Sequence, residues 1–148
     1  MVQVIDVRVS TTADPATVHA LLRDGRTWPE WSPIGSFALE RPAADEPEGV
    51  GAVRVFRTGR TTSRERVAEL VPDRRLGYEL LSGLPLRGYR ANVDLTPTPT
   101  GTEIRWHSTF RPKVPGTGWM YRLALRVFIR RCAEGLAAHA ARRHPAAP

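Results

Sequence analysis

Trp28-Pro29-Glu30-Trp31-Ser32-Pro33 stands between a short helical pattern and a long run of strand patterns, and it decides how the two parts of the chain meet. Two indoles and two prolines share this stretch, in a chain whose aromatic content is only 7%. Proline fixes φ and moves the residue before it out of the helical region, so the segment reads as a stiff turn. Each indole carries a large apolar area and one N–H that needs a partner. A turn of this kind either caps a core or walls a pocket.

Upstream, Val2 to Val9 reads as a strand with one irregularity, its apolar positions being Val2, Val4, Ile5, Val7 and Val9. Asp14 before Pro15 predicts an N-cap and a proline in the first helical position. The helix that follows places Val18, Leu21 and Leu22 on one face and ends near Asp24-Gly25. Downstream, strand patterns recur over Ser36–Arg41, Ala52–Arg57, Thr61–Val71, Arg75–Ser82, Gly88–Thr96 and Glu103–Arg111. Short Gly/Pro/Asp turns separate most of them, which predicts an antiparallel meander. The wider Pro42–Gly51 segment, with Asp45, Glu46 and Glu48, reads as an acidic loop.

The last element starts after Pro112-Lys113-Val114-Pro115-Gly116-Thr117-Gly118 and runs to about Arg143. At about 100° per residue, Tyr121, Leu125, Phe128, Cys132 and Leu136 fall in one narrow sector, flanked by Ala124, Ile129 and Gly135. Arg122, Arg126 and Arg130 lie opposite, as a solvated basic stripe. Gly116-Thr117-Gly118 reads as the hinge from the last strand into this helix, and His144 to Pro148 should fray.

One strand, a short helix, six strands and a long terminal helix specify an α+β fold. It is a curved antiparallel seven-stranded sheet wrapped around the C-terminal helix, with one or more short helices between strands one and two. Alternation assigns the inner face: Ile104, Trp106, Ser108 and Phe110; Tyr89, Ala91, Val93 and Leu95; Leu76, Tyr78 and Leu80; Glu65 with Val67. The Ala52–Arg57 strand admits two facings, with either Val53 and Val55 or Arg54 and Phe56 inward.

Three features carry a resemblance: the Trp28–Trp31 turn, Gly49-Val50-Gly51-Ala52 entering a strand, and Arg64-Glu65-Arg66-Val67-Ala68-Glu69-Leu70 followed by Pro72 and Leu76-Gly77-Tyr78. In this order they resemble the polyketide cyclase/dehydrase group of the START-like, Bet v 1-like (SRPBCC) helix-grip superfamily. The resemblance spans the chain from about Val4 to the end of the last helix. It implies a cavity between sheet and helix, open at one end, that receives hydrophobic small molecules. Lipid carriers, hormone receptors and aromatic cyclases share that fold, so it does not decide function.

A length of 148 residues, 41% of them hydrophobic and 25% charged, suits a single domain, 1–148. No apolar run reaches the roughly 20 residues of a membrane span, and no secretory signal pattern is visible. Cytoplasmic localisation is the expectation. The net charge of +7 raises nucleic acid as a partner. The basic residues are almost all arginine, with Lys113 the one lysine, and are spread along the chain, which argues against it.

Glu65 is the candidate acid–base residue: if it faces inward beside Val67, desolvation raises its pKa. The more economical alternative is a rim carboxylate paired with Arg54 or Arg57. Arg54 is a candidate anchor for a ligand carboxylate or phenolate, or else a solvated arginine. Tyr78, Tyr89, Trp106, Ser108 and Phe110 would line an aromatic pocket with a few polar handles, against the alternative of a solid core. Phe128 adds surface from the helix. Trp31 is assigned to the cavity and Trp28 to packing. His19, His107, His139 and His144 have no metal-ligand spacing, and Cys132 lies on an apolar helix face, so neither metal nor cofactor is expected.

The expected function is binding of a hydrophobic or aromatic small molecule between sheet and helix, by a monomer or homodimer. A cyclase or dehydratase using the same cavity, with Glu65 moving protons, is the alternative. A basic interaction module without a small ligand is a third. The absence of an obvious acid–base pair favours a binder over an enzyme.

Overall fold

The computed structural model describes residues 1–143; His144 and the rest of the tail expected to fray lie outside the described residues. Strands β1 (Gln3–Thr11), β2 (Ser36–Arg41), β3 (Val53–Thr58), β4 (Thr61–Val71), β5 (Arg75–Ser82), β6 (Leu86–Thr98) and β7 (Gly101–Pro112) form one sheet. Its order is β1-β7-β6-β5-β4-β3-β2, with every neighbouring pair antiparallel. Helices α1 (Pro15–Arg23) and α2 (Trp28–Trp31) connect β1 to β2, and α3 (Gly118–Arg143) closes the chain. This is the helix-grip arrangement: a curved sheet around a long terminal helix. Among the described residues no helix is long and apolar enough to cross a membrane.

Local chemistry accounts for the connections. The Asp14 side chain accepts from the Thr17 backbone N–H at 2.9 Å, and Pro15 fills the first turn of α1. Trp28 to Trp31 is not a turn, as the prolines suggest, but a single helical turn preceded by a 3-10 turn at Gly25–Thr27. Pro29 sits within its first turn, where a missing N–H costs nothing. Pro33 follows the helix, and Ser32 ends it by donating from both its backbone N–H and its hydroxyl to the Trp28 carbonyl.

The first strand is regular, in the phase of Ile5, Val7 and Val9, without the irregularity that its apolar positions suggest. Gln3, Ile5 and Val7 face inward, while Val2 and Val4 are exposed on the outer side. Gln3 tolerates that position because its side-chain carbonyl accepts from Arg122 of α3 at 3.1 Å. At the far end of β1, the Thr11 hydroxyl donates to the Ala137 carbonyl of α3 at 2.7 Å. β3 turns Arg54 and Phe56 inward, which resolves its two possible facings.

The solid core fills the end of the fold where the C-terminal half of α3 meets β1, β7, α1 and α2. Ile129, Cys132, Ala133, Leu136, Ala137 and Ala140 of α3 are buried there. Gly135 lets α3 approach α2, since a β-carbon at that position would run into the carbonyl of Trp31. Outside, cross-strand pairs such as Arg64–Glu40, Arg66–Glu79, Arg75–Asp94 and Arg105–Asp6 engage many of the arginines.

Candidate functional site

The concave face divides along its length into a filled end and an open end. At the filled end the Trp28 ring lies 4.7 Å from Trp31, 4.9 Å from Phe56 and 5.6 Å, edge-on, from Trp106. Each indole N–H has a partner: Trp28 donates to the Leu22 carbonyl at 2.9 Å, Trp31 to Thr27 Oγ1 at 3.1 Å and Trp106 to the Tyr78 hydroxyl at 3.1 Å. Trp28 and Trp31 are therefore both packing residues. Trp31 does not wall the cavity.

Arg54 is built into the same end. It is 3% exposed, with its guanidinium 5.0 Å from the Trp28 ring centre and 5.1 Å from that of Phe56. Its terminal nitrogens point at the Leu22 carbonyl at 3.4 Å, and Nε lies 3.6 Å from Glu48 of the acidic loop. Burial lowers its pKa, and Glu48 followed by Glu65 act in the opposite direction. Arg54 is thus neither a solvated arginine nor part of the cavity lining.

The open end holds a cavity of roughly 340 Å³. Thr58, Thr61 and Ser63 of the β3–β4 hairpin, with Leu80 and Leu84 from β5 and the loop after it, form one side. Tyr121, Ala124, Leu125, Phe128 and Ile129 of α3 form the other, and Glu65, Tyr78 and Tyr89 join them from the sheet. Of the residues singled out in the sequence, the structure brings together Glu65, Tyr78, Tyr89 and Phe128. Trp106, Ser108 and Phe110 share the inward phase of β7 but are buried outside the lining, with Phe110 stacked 6.0 Å from Tyr89.

Glu65 and Arg54 are directly opposite in the β3–β4 register, yet no ion pair joins them because Arg54 turns toward Glu48 and Leu22. Nor does Glu65 pair with Arg57, the other arginine considered for it. It stands half-buried between the hydroxyl-bearing Ser63 side and a wall that is otherwise aromatic and aliphatic. Burial raises its pKa from 4.5 to about 7, with Arg54 opposing the shift. Burial also raises the pKa values of the Tyr78 and Tyr89 phenols and of the Cys132 thiol behind them, so these stay protonated at neutral pH. The Tyr78 oxygen already accepts from Trp106, which leaves its own proton for another acceptor.

The chamber can therefore hold an apolar or aromatic body. It can donate a phenolic hydrogen bond, and at neutral pH it can give or take one proton at Glu65. Among the described residues no three His, Cys, Asp or Glu side chains gather as metal ligands. His107 pairs instead with Asp94, Nε2 to Oδ2 at 2.6 Å. The sequence singles out as lining neither Leu80, Leu84, Tyr121, Ala124, Leu125 and Ile129 nor the hydroxyl-bearing Thr58, Thr61 and Ser63. For the three hydroxyl residues the signal was present, since Ser63 and Thr61 continue the inward phase of Glu65, and Thr58 that of Arg54 and Phe56.

Comparison with solved structures returns the same architecture. A START superfamily protein from Mycobacterium smegmatis superimposes with a TM-score of 0.80 at 14% identity, over 95% of this chain and 98% of that one. The di-domain ARO/CYC StfQ of the steffimycin biosynthetic pathway gives a TM-score of 0.77 at 17% identity, over 97% of this chain and 52% of that one. Norcoclaurine synthase of Thalictrum flavum, as a point mutant with a transition-state analogue, gives 0.77 at 12% identity, over 98% of both chains. At these identities the likeness concerns the fold. No curated protein matches by sequence. The family described as "Polyketide cyclase / dehydrase and lipid transport" matches residues 2–142, and the chain belongs to that family.

Proposed function

We propose that the protein binds a hydrophobic or aromatic small molecule in the chamber between the sheet and the first half of α3, as a cytoplasmic monomer or homodimer. The observation that carries this reading is the cavity itself: about 340 Å³, walled by aromatic and aliphatic side chains, with a few convergent polar groups. Tyr89, Tyr121 and Phe128 offer ring faces. Tyr78 and Glu65 supply the donors that orient a polar substituent.

The test is thermal unfolding against a panel of apolar aromatic compounds, beside native mass spectrometry of the purified protein for a retained molecule. A ligand at about a hundredfold over its Kd stabilises by about 2.7 kcal/mol. Ala124→Phe, which places a phenyl group in the chamber, should abolish that shift while leaving the unliganded protein folded. A panel that moves the wild type nowhere removes the reading.

The pKa of Glu65 favours a second reading, a cyclase or dehydratase that transfers a proton to or from a substrate held in the same chamber. A carboxyl group titrating near 7 suits both directions of transfer. Glu65→Gln should then abolish turnover and keep the ligand-induced stabilisation. Turnover that survives the substitution takes Glu65 out of the chemistry.

A further inference from the structure

The first half of α3 is apolar on two faces. One face lines the cavity. The other exposes Trp119, Met120, Leu123 and Val127, which are 55%, 46%, 53% and 56% accessible. On a helix these four side chains form one continuous stripe, and Met120 lies next to Ala124 of the cavity wall. A contiguous apolar stripe on a water-facing helix has a desolvating partner as its ordinary explanation.

The charge around that stripe identifies the partner. A shallow groove at the start of α3 is lined by Trp119 with Arg87, Arg111, Lys113 and Arg122, and no carboxylate lines it. Arg87 and Arg111 are directly opposite each other in the β6–β7 register, a like-charge cross-strand pair that costs stability. Neither makes an ion pair among the described residues, and nor does Lys113. On the outer face of the sheet, by contrast, Arg8, Arg64, Arg66, Arg75, Arg90 and Arg105 all have carboxylate partners. The same end of the molecule holds the cavity mouth: the Lys113 N–H donates to the Pro85 carbonyl at 3.0 Å, next to the lining residue Leu84.

We infer that this face docks on the surface of an anionic phospholipid bilayer, with the apolar stripe of α3 entering the acyl boundary and the cations of the groove meeting lipid phosphates. An indole beside uncompensated cations, on a helix whose exposed side interleaves Leu123 and Val127 with Arg122 and Arg126, is the composition of an interfacial helix. Docked in this way, the cavity mouth faces the lipid. Loading of an apolar ligand from that surface rests on the binding reading above, whereas docking itself does not.

The experiment uses the whole protein with phosphatidylcholine vesicles, either pure or containing roughly one-third phosphatidylglycerol. Trp28, Trp31 and Trp106 are buried, so a lipid-induced blue shift of indole emission reports Trp119. The expected result is a blue shift and co-sedimentation with the anionic vesicles alone, both weakening as salt rises. Leu123→Ser should lower partitioning about tenfold, and each of Arg87→Ser and Arg111→Ser about fivefold. All three are surface changes that leave circular dichroism unaltered. No binding to anionic vesicles at low salt overturns the inference. So does binding that ignores Leu123→Ser, as attraction to any polyanion, including a DNA duplex, would. A lipid-free dimer that Leu123→Ser dissociates also overturns it, by assigning the stripe to a second copy. Ligand-induced stabilisation measured without vesicles tests the cavity separately and is indifferent to these outcomes.

Discussion

Replacing Glu65 by glutamine should make the protein more stable, and the gain should depend on pH. Burial displaces the carboxyl pKa from 4.5 to about 7. Below the lower value the folded and unfolded states are both protonated. Between the two values the folded state keeps a proton that the unfolded state has released. Wild-type stability therefore falls as pH rises through this window and levels off above it. At about 1.4 kcal/mol per pH unit the full displacement amounts to roughly 3 kcal/mol. Water entering the open cavity reduces this, so about 1–3 kcal/mol is expected. Glutamine has no such dependence. Urea unfolding of both proteins at pH 4.5 and pH 8 measures the difference, which should be small at the lower pH and reach that value at the higher. In thermal melts it corresponds to several degrees for a domain of this size. A difference that is the same at both pH values refutes the assignment of Glu65 as a desolvated carboxyl group.

Arg54→Met should cost about 2–4 kcal/mol, because it strips Glu48 and the Leu22 carbonyl of a buried cation. Arg54→Lys should recover less than half, since an ammonium cannot lie flat on Trp28 and Phe56; full rescue by lysine in urea titrations would show that charge alone matters. Gly135→Ala should destabilise by about 1–3 kcal/mol despite alanine's advantage of about 1 kcal/mol in a helix, because its β-carbon meets the Trp31 carbonyl. An unchanged denaturation midpoint would refute that contact. Tyr78→Phe should cost about 1–2 kcal/mol by leaving the Trp106 N–H buried without an acceptor, and a neutral result would place another acceptor there.

The sheet was legible because alternation and turn residues report it directly: β4 and β5 have the very bounds that the pattern predicts. β1 reads as irregular because Val2 and Val4 break the phase of Ile5, Val7 and Val9, whereas the strand is regular and Gln3 takes the buried place by bonding to a residue 119 positions away. The site was legible only in part, for a related reason. Alternation says which face a side chain takes, not how far along the concave surface it lies. Trp31, Arg54 and Trp106 all face inward, yet at the end where α2 and the second half of α3 fill the space, while Phe110 lies behind the lining residue Tyr89. Thr58, Thr61 and Ser63 face inward beyond that filling; Thr58 reads as a turn residue, and Thr61 and Ser63 as strand residues whose polarity gave no sign of a lining. Depth is set by where the long helix touches the sheet, and no window of local sequence contains that.

The separation of the two ends has a consequence for how such a chain can change over generations. The tryptophan cluster, Arg54 and the Gly135 contact secure the fold and draw on the chamber walls only through Tyr78. Thr58, Thr61, Leu80, Leu84 and Ala124 are then free to be exchanged with little penalty to the folded state. A lineage built on this plan can acquire new ligands by altering a handful of mouth residues while its foundation stays fixed.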